Sequence, residues 1–220
     1  MSDPASHWKT LVEEPHRDWT WSILERSYSE SHRHYHTLSH IAACLDLMSE
    51  PWLQDRLAAA RVPRTALSLA ILWHDVVYIP GDTRNEILSA KLFAAVSDLV
   101  AVDGPLVDRV CPAIVATRTH KLGSVSSRAA AIGANLVATA LIDIDLSILA
   151  APPDTYDAYV KATREEYARV PDQAWRTGRK HFLEDMIARE RIFSPDLLGE
   201  KYETLARENM TRELRQFESP

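Results

Sequence analysis

The chain has 220 residues, of which 46% are hydrophobic and 25% charged, and this composition is typical of one globular domain rather than of a disordered or fibrous chain. Its formal net charge of −6 argues against general nucleic-acid binding and against an anionic membrane surface as a partner. The N-terminal residues lack the apolar segment of a secretory signal, and the longest weakly polar run, 129–142, is too short to cross a bilayer. We therefore expect a cytoplasmic protein without a membrane partner.

The first third of the chain has the periodicity of amphipathic helices. One helix is predicted over 18–30 and a short one over 52–60. Between them lies a helix that ends before Pro51 and carries one apolar stripe, at spacings of three and four residues, formed by Leu38, Ile41, Leu45 and Met48. After Pro63, the segment that starts at Thr65 is apolar nearly all the way round a helix, which predicts a fully buried helix.

The rest of the chain also predicts helices. Thr83-Arg-Asn-Glu86 has the pattern of a capping box at the start of one helix, and Asp103-Gly-Pro starts another, which Pro112 should kink. A loop rich in Gly and Ser is expected over 121–128, followed by a long apolar helix that ends near Leu149. Further helices are predicted over 156–168, over 173–189 and from 196 to about 215.

No segment shows the alternation of a strand or the signal of a tight hairpin. The predicted fold is therefore all-α, a single-domain helical bundle of about eight or nine helices. Cys44 and Cys111 both lie in apolar helical patterns and are predicted to be free thiols, although the sequence does not exclude a bridge between them.

The predicted buried helix ends in two ionisable residues, His74 and Asp75. Buried charged groups need partners, and a divalent metal ion would bind both an imidazole nitrogen and a carboxylate oxygen. The alternative is an ordinary helix C-terminus, where the helix dipole favours the histidine and water solvates the aspartate. Taken alone, the pair favours this alternative, so other residues must decide.

Four of the nine histidines fall together in Ser-His-Arg-His-Tyr-His-Thr-Leu-Ser-His, which spans 31–40. His36 and His40 are one helical turn apart and can point to the same side. His40 borders the apolar stripe and is the better candidate for a metal ligand, while His36 is a candidate for proton transfer near neutral pH. For His32 and His34 we favour a solvated surface position.

Asp143 and Asp145 are two positions apart, which on a helix corresponds to a rotation of about 200°, so both cannot face one site. Asp145 shares a face with Leu141 and Ile148 and would be directed into the interior, where a carboxylate must be paired or bind metal. Asp143 could cap a helix, orient a ligand histidine or pair with an arginine.

The ordered set His40, His74, Asp75 and Asp145 resembles the HD superfamily of metal-dependent phosphohydrolases, which is named after its His-Asp pair. Tyr35-His-Thr-Leu-Ser-His40 is similar to the Tyr-His-x-x-x-His element of cyclic-nucleotide phosphodiesterases in that superfamily. The resemblance covers about 28–150 and is closest to a small bacterial branch. It implies an HD-type bundle with a metal-binding core over 28–150 and C-terminal helices, 151–220, that pack on the core or form a lid.

The resemblance also implies a mechanism. His40, His74, Asp75 and Asp145 would hold a divalent ion, one of Mn, Fe, Co, Mg or Zn, and a metal-bound hydroxide would attack a phosphoester of a nucleotide or a related small phosphorylated molecule. Asp75 would thus be both ligand and part of the catalytic set, and His36 would protonate the departing oxygen. Some nucleotidases of the family carry carboxylates a few residues after the His-Asp pair, where this chain has Val76, Val77 and Tyr78. The resemblance therefore does not imply that this chain shares the substrate of those nucleotidases.

Two further residues are candidates for the site. His120 resembles a ligand of a second metal or of phosphate, with a helix-end histidine as the equal alternative. Glu86 would orient a metal-bound water, although the capping box with Thr83 is the favoured interpretation. The candidates for phosphate binding are the cations near these residues or later in the chain, of which most will be solvated: Arg33, Arg118, Lys121, Arg164 and Arg179.

Two other functions stay open at this point. A few superfamily members use a two-iron site for oxidative cleavage, and only His120 and Glu86 are available here to extend the four ligands. A non-catalytic helical protein that binds a nucleotide or a metal is the third hypothesis. A homodimer is compatible with each of the three.

Overall fold

The computed structural model describes residues 2–121 and 128–218. These residues form eleven α-helices and one 3₁₀ helix and contain no strand, which confirms the all-α prediction. The helices are α1 (Pro4–Lys9), α2 (Arg17–Tyr28), α3 (Leu38–Ser49), α4 (Pro51–Ala59), α5 (Arg64–Trp73), α6 (Asn85–Leu99), α7 (Gly104–Ala116), α8 (Arg128–Asp145), the 3₁₀ helix (Leu146–Ala150), α9 (Pro153–Glu166), α10 (Asp172–Ala188) and α11 (Gly199–Glu218).

The count exceeds the predicted eight or nine helices, and α1 was not predicted at all. A helix of 6 residues is too short to show a hydrophobic period. Local capping and packing stabilise it instead: the Asp3 side chain accepts hydrogen bonds from the N–H groups of Ala5 and Ser6, and Trp8 is buried. The predicted long helix that ends near Leu149 is divided into α8 and the 3₁₀ helix.

Helix α5 is the centre of the core. Every residue from 66 to 73 is buried, and α5 packs against α3, α6, α7 and α8. Helix α8 packs in turn against α3 and α7. The C-terminus of α5 is therefore held between α3 and α8, which brings together the three elements that carry His40, His74 and Asp145.

The C-terminal helices contain a buried ion pair that sequence analysis did not predict. The guanidinium of Arg179 on α10 donates to both carboxylate oxygens of Glu213 on α11, at 2.8 and 3.0 Å, and to the hydroxyl of Tyr159 at 3.0 Å. The hydroxyl of Tyr156 donates to the same carboxylate. Arg179 thus joins α9, α10 and α11 and is not available for phosphate, which corrects its predicted role.

The structure also bears on the predictions about the cysteines, membrane-spanning segments and the loop after His120. Cys44 and Cys111 are free, as predicted. Among the described residues no single helix is long and apolar enough to cross a bilayer, and 134–150 and 153–166 pass that test only jointly, with a bend of 107° between them. Most of the predicted loop, 122–127, lies outside the described residues. The division into a core over 28–150 and a C-terminal part over 151–220 stays a prediction.

The variant Arg179→Met should lower the free energy of unfolding by about 3–5 kcal/mol, because it leaves the Glu213 carboxylate buried without its cation. Urea denaturation followed by circular dichroism measures this change. The matched control is Lys180→Met on the same helix, whose exposed pair with Glu184 should contribute less than about 0.5 kcal/mol. A double variant, Arg179→Met with Glu213→Leu, should be more stable than the single one, and equal stability would contradict this account of the pair.

Candidate metal centre

Two histidines and one aspartate from three elements meet in the interior. His40 lies in the first turn of α3, His74 directly follows α5, and Asp145 is the last residue of α8. The Nε2 atoms of the two histidines are 3.3 Å apart, and Oδ1 of Asp145 lies 3.2 Å from Nε2 of His40 and 3.6 Å from Nε2 of His74. His40 and His74 are buried, so these groups face one another rather than water.

The three separations fit a bound metal ion. Two ligand atoms that lie about 2.1 Å from one ion at a tetrahedral angle are about 3.4 Å apart. His74 is also oriented as a ligand, because its Nδ1 is 2.9 Å from the carbonyl oxygen of Ile71. That hydrogen bond places the proton on Nδ1 and leaves the lone pair of Nε2 free for a metal. The cluster of His40, His74 and Asp145 can therefore hold an ion.

Asp75 and His120 extend this cluster. Oδ2 of Asp75 is 3.1 Å from Nε2 of His74 and 4.0 Å from Nε2 of His40. Nε2 of His120 is 3.2 Å from Oδ2 of Asp145, the oxygen that does not face His40. Burial opposes ionisation of both aspartates, but the surrounding imidazoles outweigh it and lower the pKa of Asp75 and of Asp145. Both carboxylates are thus anionic, as metal ligands must be.

A cavity of about 620 Å³ opens above Asp75, Asp145 and His120. Glu86 lines it, and the pKa of its carboxyl is raised by burial and by the nearby charge of Asp75. The favoured interpretation of Glu86 as part of a capping box is wrong: α6 begins at Asn85, and Arg84 at the N-cap makes no side-chain capping bond. Oε2 of Glu86 is buried and has no hydrogen-bond partner among the described residues.

Glu166, the last residue of α9, is a site residue that sequence analysis missed. Its Oε1 accepts hydrogen bonds from the backbone N–H groups of His34, Tyr35 and His36, at 2.8–2.9 Å. Its Oε2 is 2.7 Å from Nδ1 of His36 and accepts the hydroxyl of Tyr78 at 2.8 Å. This arrangement turns Nε2 of His36 toward Asp75, at 4.0 Å from Oδ2.

Arg33, a predicted phosphate ligand, is buried and donates hydrogen bonds mainly to backbone carbonyl oxygens. Its guanidinium donates to the carbonyl oxygens of His36, Asp75 and Val76 at 3.1, 2.7 and 3.1 Å, and to Glu30 at 2.9 Å. Four of its five N–H donors are therefore engaged. Arg33 fastens the His36 loop to the His-Asp segment, and this role replaces the predicted one.

The remaining predicted cations lie in different places. Arg118 is exposed and lines the 620 Å³ cavity. Lys121 is paired with Asp185 at 3.7 Å. Arg164 donates to the carbonyl oxygen of Tyr167 at 2.7 Å and pairs with Asp172 outside this cavity. Of the five predicted phosphate ligands, only Arg118 lines the cavity above the cluster.

The backbone of His120 is held in place by Arg189, the residue after α10. The guanidinium of Arg189 donates to the carbonyl oxygens of Thr119 and His120, at 3.2 and 3.0 Å, and pairs with Asp185 at 2.9 Å. His120 has a φ of 49°, a left-handed conformation that costs energy for a residue other than glycine. The arginine thus stabilises the conformation that directs the His120 ring at Asp145.

Asp143 and Asp145 point in different directions, as the helical geometry predicted. The carboxylate of Asp143 is buried and accepts the N–H of Ser194 at 3.0 Å, so it fixes the segment between α10 and α11. Its burial raises its pKa to about 7. The side chains of His32 and His34 are partly exposed, and the ring of His32 is 2.9 Å from the carbonyl oxygen of Tyr78.

Comparison with known proteins returned no match to a family model, a curated protein or a solved structure. The resemblance to the HD superfamily therefore depends on the residues of this chain alone. No local signal marked Glu166, because it is separated from His36 by 130 positions. Its contacts follow from the packing of α9, which a helical period does not specify.

The variants His74→Ala and Asp145→Ala should each abolish metal binding, because each removes one of only a few ligands. The measurement is metal content by plasma mass spectrometry after loading untagged protein with Mn²⁺, with circular dichroism to verify folding. His181→Ala, which changes an exposed histidine on α10, should keep the metal content of the unmodified protein. An unmodified protein that cannot be loaded would refute the metal centre.

The variant Glu166→Gln should be less stable at neutral pH by about 1–3 kcal/mol, because buried hydrogen bonds to a carboxylate are lost. Burial opposes ionisation of Glu166, but the hydrogen bonds from His36 and the backbone outweigh it and lower its pKa from 4.5 to about 2. The ionised form therefore stabilises the fold above pH 4.5, and this contribution disappears as pH falls toward 2.

Denaturation curves of the two proteins between pH 2 and 8 measure this dependence. The stability difference should be constant above pH 5 and approach zero near pH 2. Glu165→Gln is the matched control, because Glu165 is the exposed neighbour of Glu166 and its carboxylate forms an exposed pair with His34, at 3.4 Å. A stability difference that does not change with pH would contradict the assignment of the charge to Glu166.

Proposed function

We propose that the protein is a metal-dependent phosphohydrolase that cleaves a phosphoester of a nucleotide or a related small phosphorylated molecule. The observation that carries the proposal is the cluster of His40, His74 and Asp145, whose ligand atoms all lie within 4.8 Å of one another beneath an open cavity. Mixed nitrogen and oxygen ligands suit Mn, Fe, Co, Mg and Zn.

The anionic groups of the cluster give the site its electrostatic character. Asp75 and Asp145 would hold the ion together with His40 and His74, and both aspartates also line the cavity. A bound divalent ion would supply Lewis acidity, which polarises a phosphoryl oxygen and lowers the pKa of a water molecule. His120 and Glu86 line the same cavity, where they would contact the phosphoryl group or its attacking water.

His36 is the proposed proton donor to the departing oxygen. Its Nδ1 is engaged by Glu166, so its Nε2 is the nitrogen that faces the cavity. The backbone N–H bonds to Glu166 and the carbonyl bond to Arg33 fix the His36 loop. Such preorganisation favours proton transfer, because the donor is held in a productive orientation before the substrate binds.

The walls of the cavity support a small phosphorylated substrate. Arg118 is the cation placed to neutralise phosphoryl oxygens. The partly buried aromatic rings of Tyr167 and Phe182 also line the cavity, where a nucleobase or another flat group would pack against them. A volume of about 620 Å³ lies within the range of small-molecule sites.

The variant His36→Gln should lower kcat for phosphoester hydrolysis by about 10²–10³ without loss of metal, because a general acid contributes roughly 10²–10⁴ in rate. The assay measures phosphate or alcohol release from a panel of nucleotides and simple phosphoesters with the Mn²⁺-loaded protein. His181→Gln is the control and should retain full activity. Metal-loaded protein that binds these compounds without turnover would refute the enzyme and leave a non-catalytic binding protein.

A further inference from the structure

A second cavity, of about 860 Å³, reaches the same metal centre from another side. It is a half-open groove between α3, the 3₁₀ helix, α9 and α11. Its wall is formed mainly by small or apolar side chains, among them Ala43, Leu47, Ile148, Pro153, Ala158 and Leu205. We call it the apolar groove.

The groove and the 620 Å³ cavity meet at Asp145, which lines both. His40 also lines the groove, and the ring of Tyr35, another lining residue, contacts both His36 and His40, with centroids 5.0 and 4.9 Å away. A molecule bound at the metal centre therefore has two directions in which to extend. One direction is polar, toward Arg118, and the other is apolar.

The rim of the groove carries exposed hydrophobic side chains. Leu205 is 38% exposed and lines the groove; Trp52 is 39% exposed, and its ring contacts that of Tyr202, another lining residue, at 6.0 Å between centroids. Most other large hydrophobic residues among those described are buried. The charged lining residues Lys201 and Glu208 are exposed at the groove surface. Exposed apolar surface that continues into a cavity is typical of a ligand site.

We infer that the apolar groove binds an apolar substituent, such as an alkyl chain, of the phosphoester that reacts at the metal centre. The inference depends on the proposed function for the identity of the reacting group, and it adds the substrate class: an amphipathic phosphoester rather than a fully polar one. The phosphoryl group lies at Asp145 and its neighbours, while the chain follows Ile148 and Leu205 to the rim.

The first experiment measures ligand binding by isothermal titration calorimetry and does not depend on turnover. Octylphosphonate and methylphosphonate, which are not hydrolysed, are titrated into the Mn²⁺-loaded protein. Octylphosphonate should bind at least about tenfold more tightly, because each buried methylene contributes a further fewfold in affinity. Methylphosphonate measures the contribution of the head group alone.

The second experiment substitutes residues of the groove that are not part of the metal centre. Ala158→Phe fills the groove from α9, and Leu205→Asn makes its rim polar; each should lower the affinity for octylphosphonate about tenfold or more and leave that for methylphosphonate unchanged. The matched controls are Ala95→Phe and Leu99→Asn, which make the same changes at exposed positions of α6 that line neither cavity. Metal content of all variants should equal that of the unmodified protein.

The outcomes separate this inference from the proposed function. Equal affinity for the two phosphonates, or octylphosphonate binding that Ala158→Phe does not weaken, would overturn the groove assignment even if phosphoesters are hydrolysed. If Ala158→Phe instead excludes adenosine monophosphate and spares octylphosphonate, the groove is a nucleoside site and the inference is also overturned. Selective octylphosphonate binding without hydrolysis of octyl phosphate would support the groove and refute the enzyme.

Discussion

The burial of two imidazoles beside a half-buried carboxylate, at the meeting point of α3, α5 and α8, is the constraint on which the site depends. His40 and His74 present their nitrogen atoms to each other at 3.3 Å, an arrangement with no net attraction unless a proton or a cation lies between them. Asp145 supplies negative charge to both. The two imidazoles are buried against the apolar core, so they must be satisfied by each other, by Asp145 or by a bound ion.

Buried charges hold the loops that surround the cluster. Glu166 binds the His36 loop through three backbone N–H groups, and Arg33 binds the same loop and the His-Asp segment through carbonyl oxygens. Arg189 does the same for His120. Each of these side chains uses several donors or acceptors on the backbone, which restrains the conformation of a loop more strongly than one side-chain contact would. The cluster is thus positioned by ionic groups that line neither of the two cavities.

The two cavities give the site a polar side and an apolar side. Their common residue is Asp145, so a ligand that reaches both cavities must pass this carboxylate. Arg118 and His120 lie on the polar side, whereas Ile148 and Leu205 lie on the apolar side. If the protein has the proposed function, this asymmetry would favour an amphipathic substrate, because polar and apolar parts of one molecule are desolvated in different surroundings.

The sequence by itself determined most of the helices, the burial of α5 and the opposite directions of Asp143 and Asp145, because each follows from a helical period of 3.6 residues. It also indicated His40, His74 and Asp145, since polar residues on apolar faces are costly without partners. Only the tertiary structure decided that Glu166 holds His36 and that Arg33 and Arg179 are buried in structural roles. These contacts join residues up to 132 positions apart, and they arise from helix packing, which local periodicity does not encode.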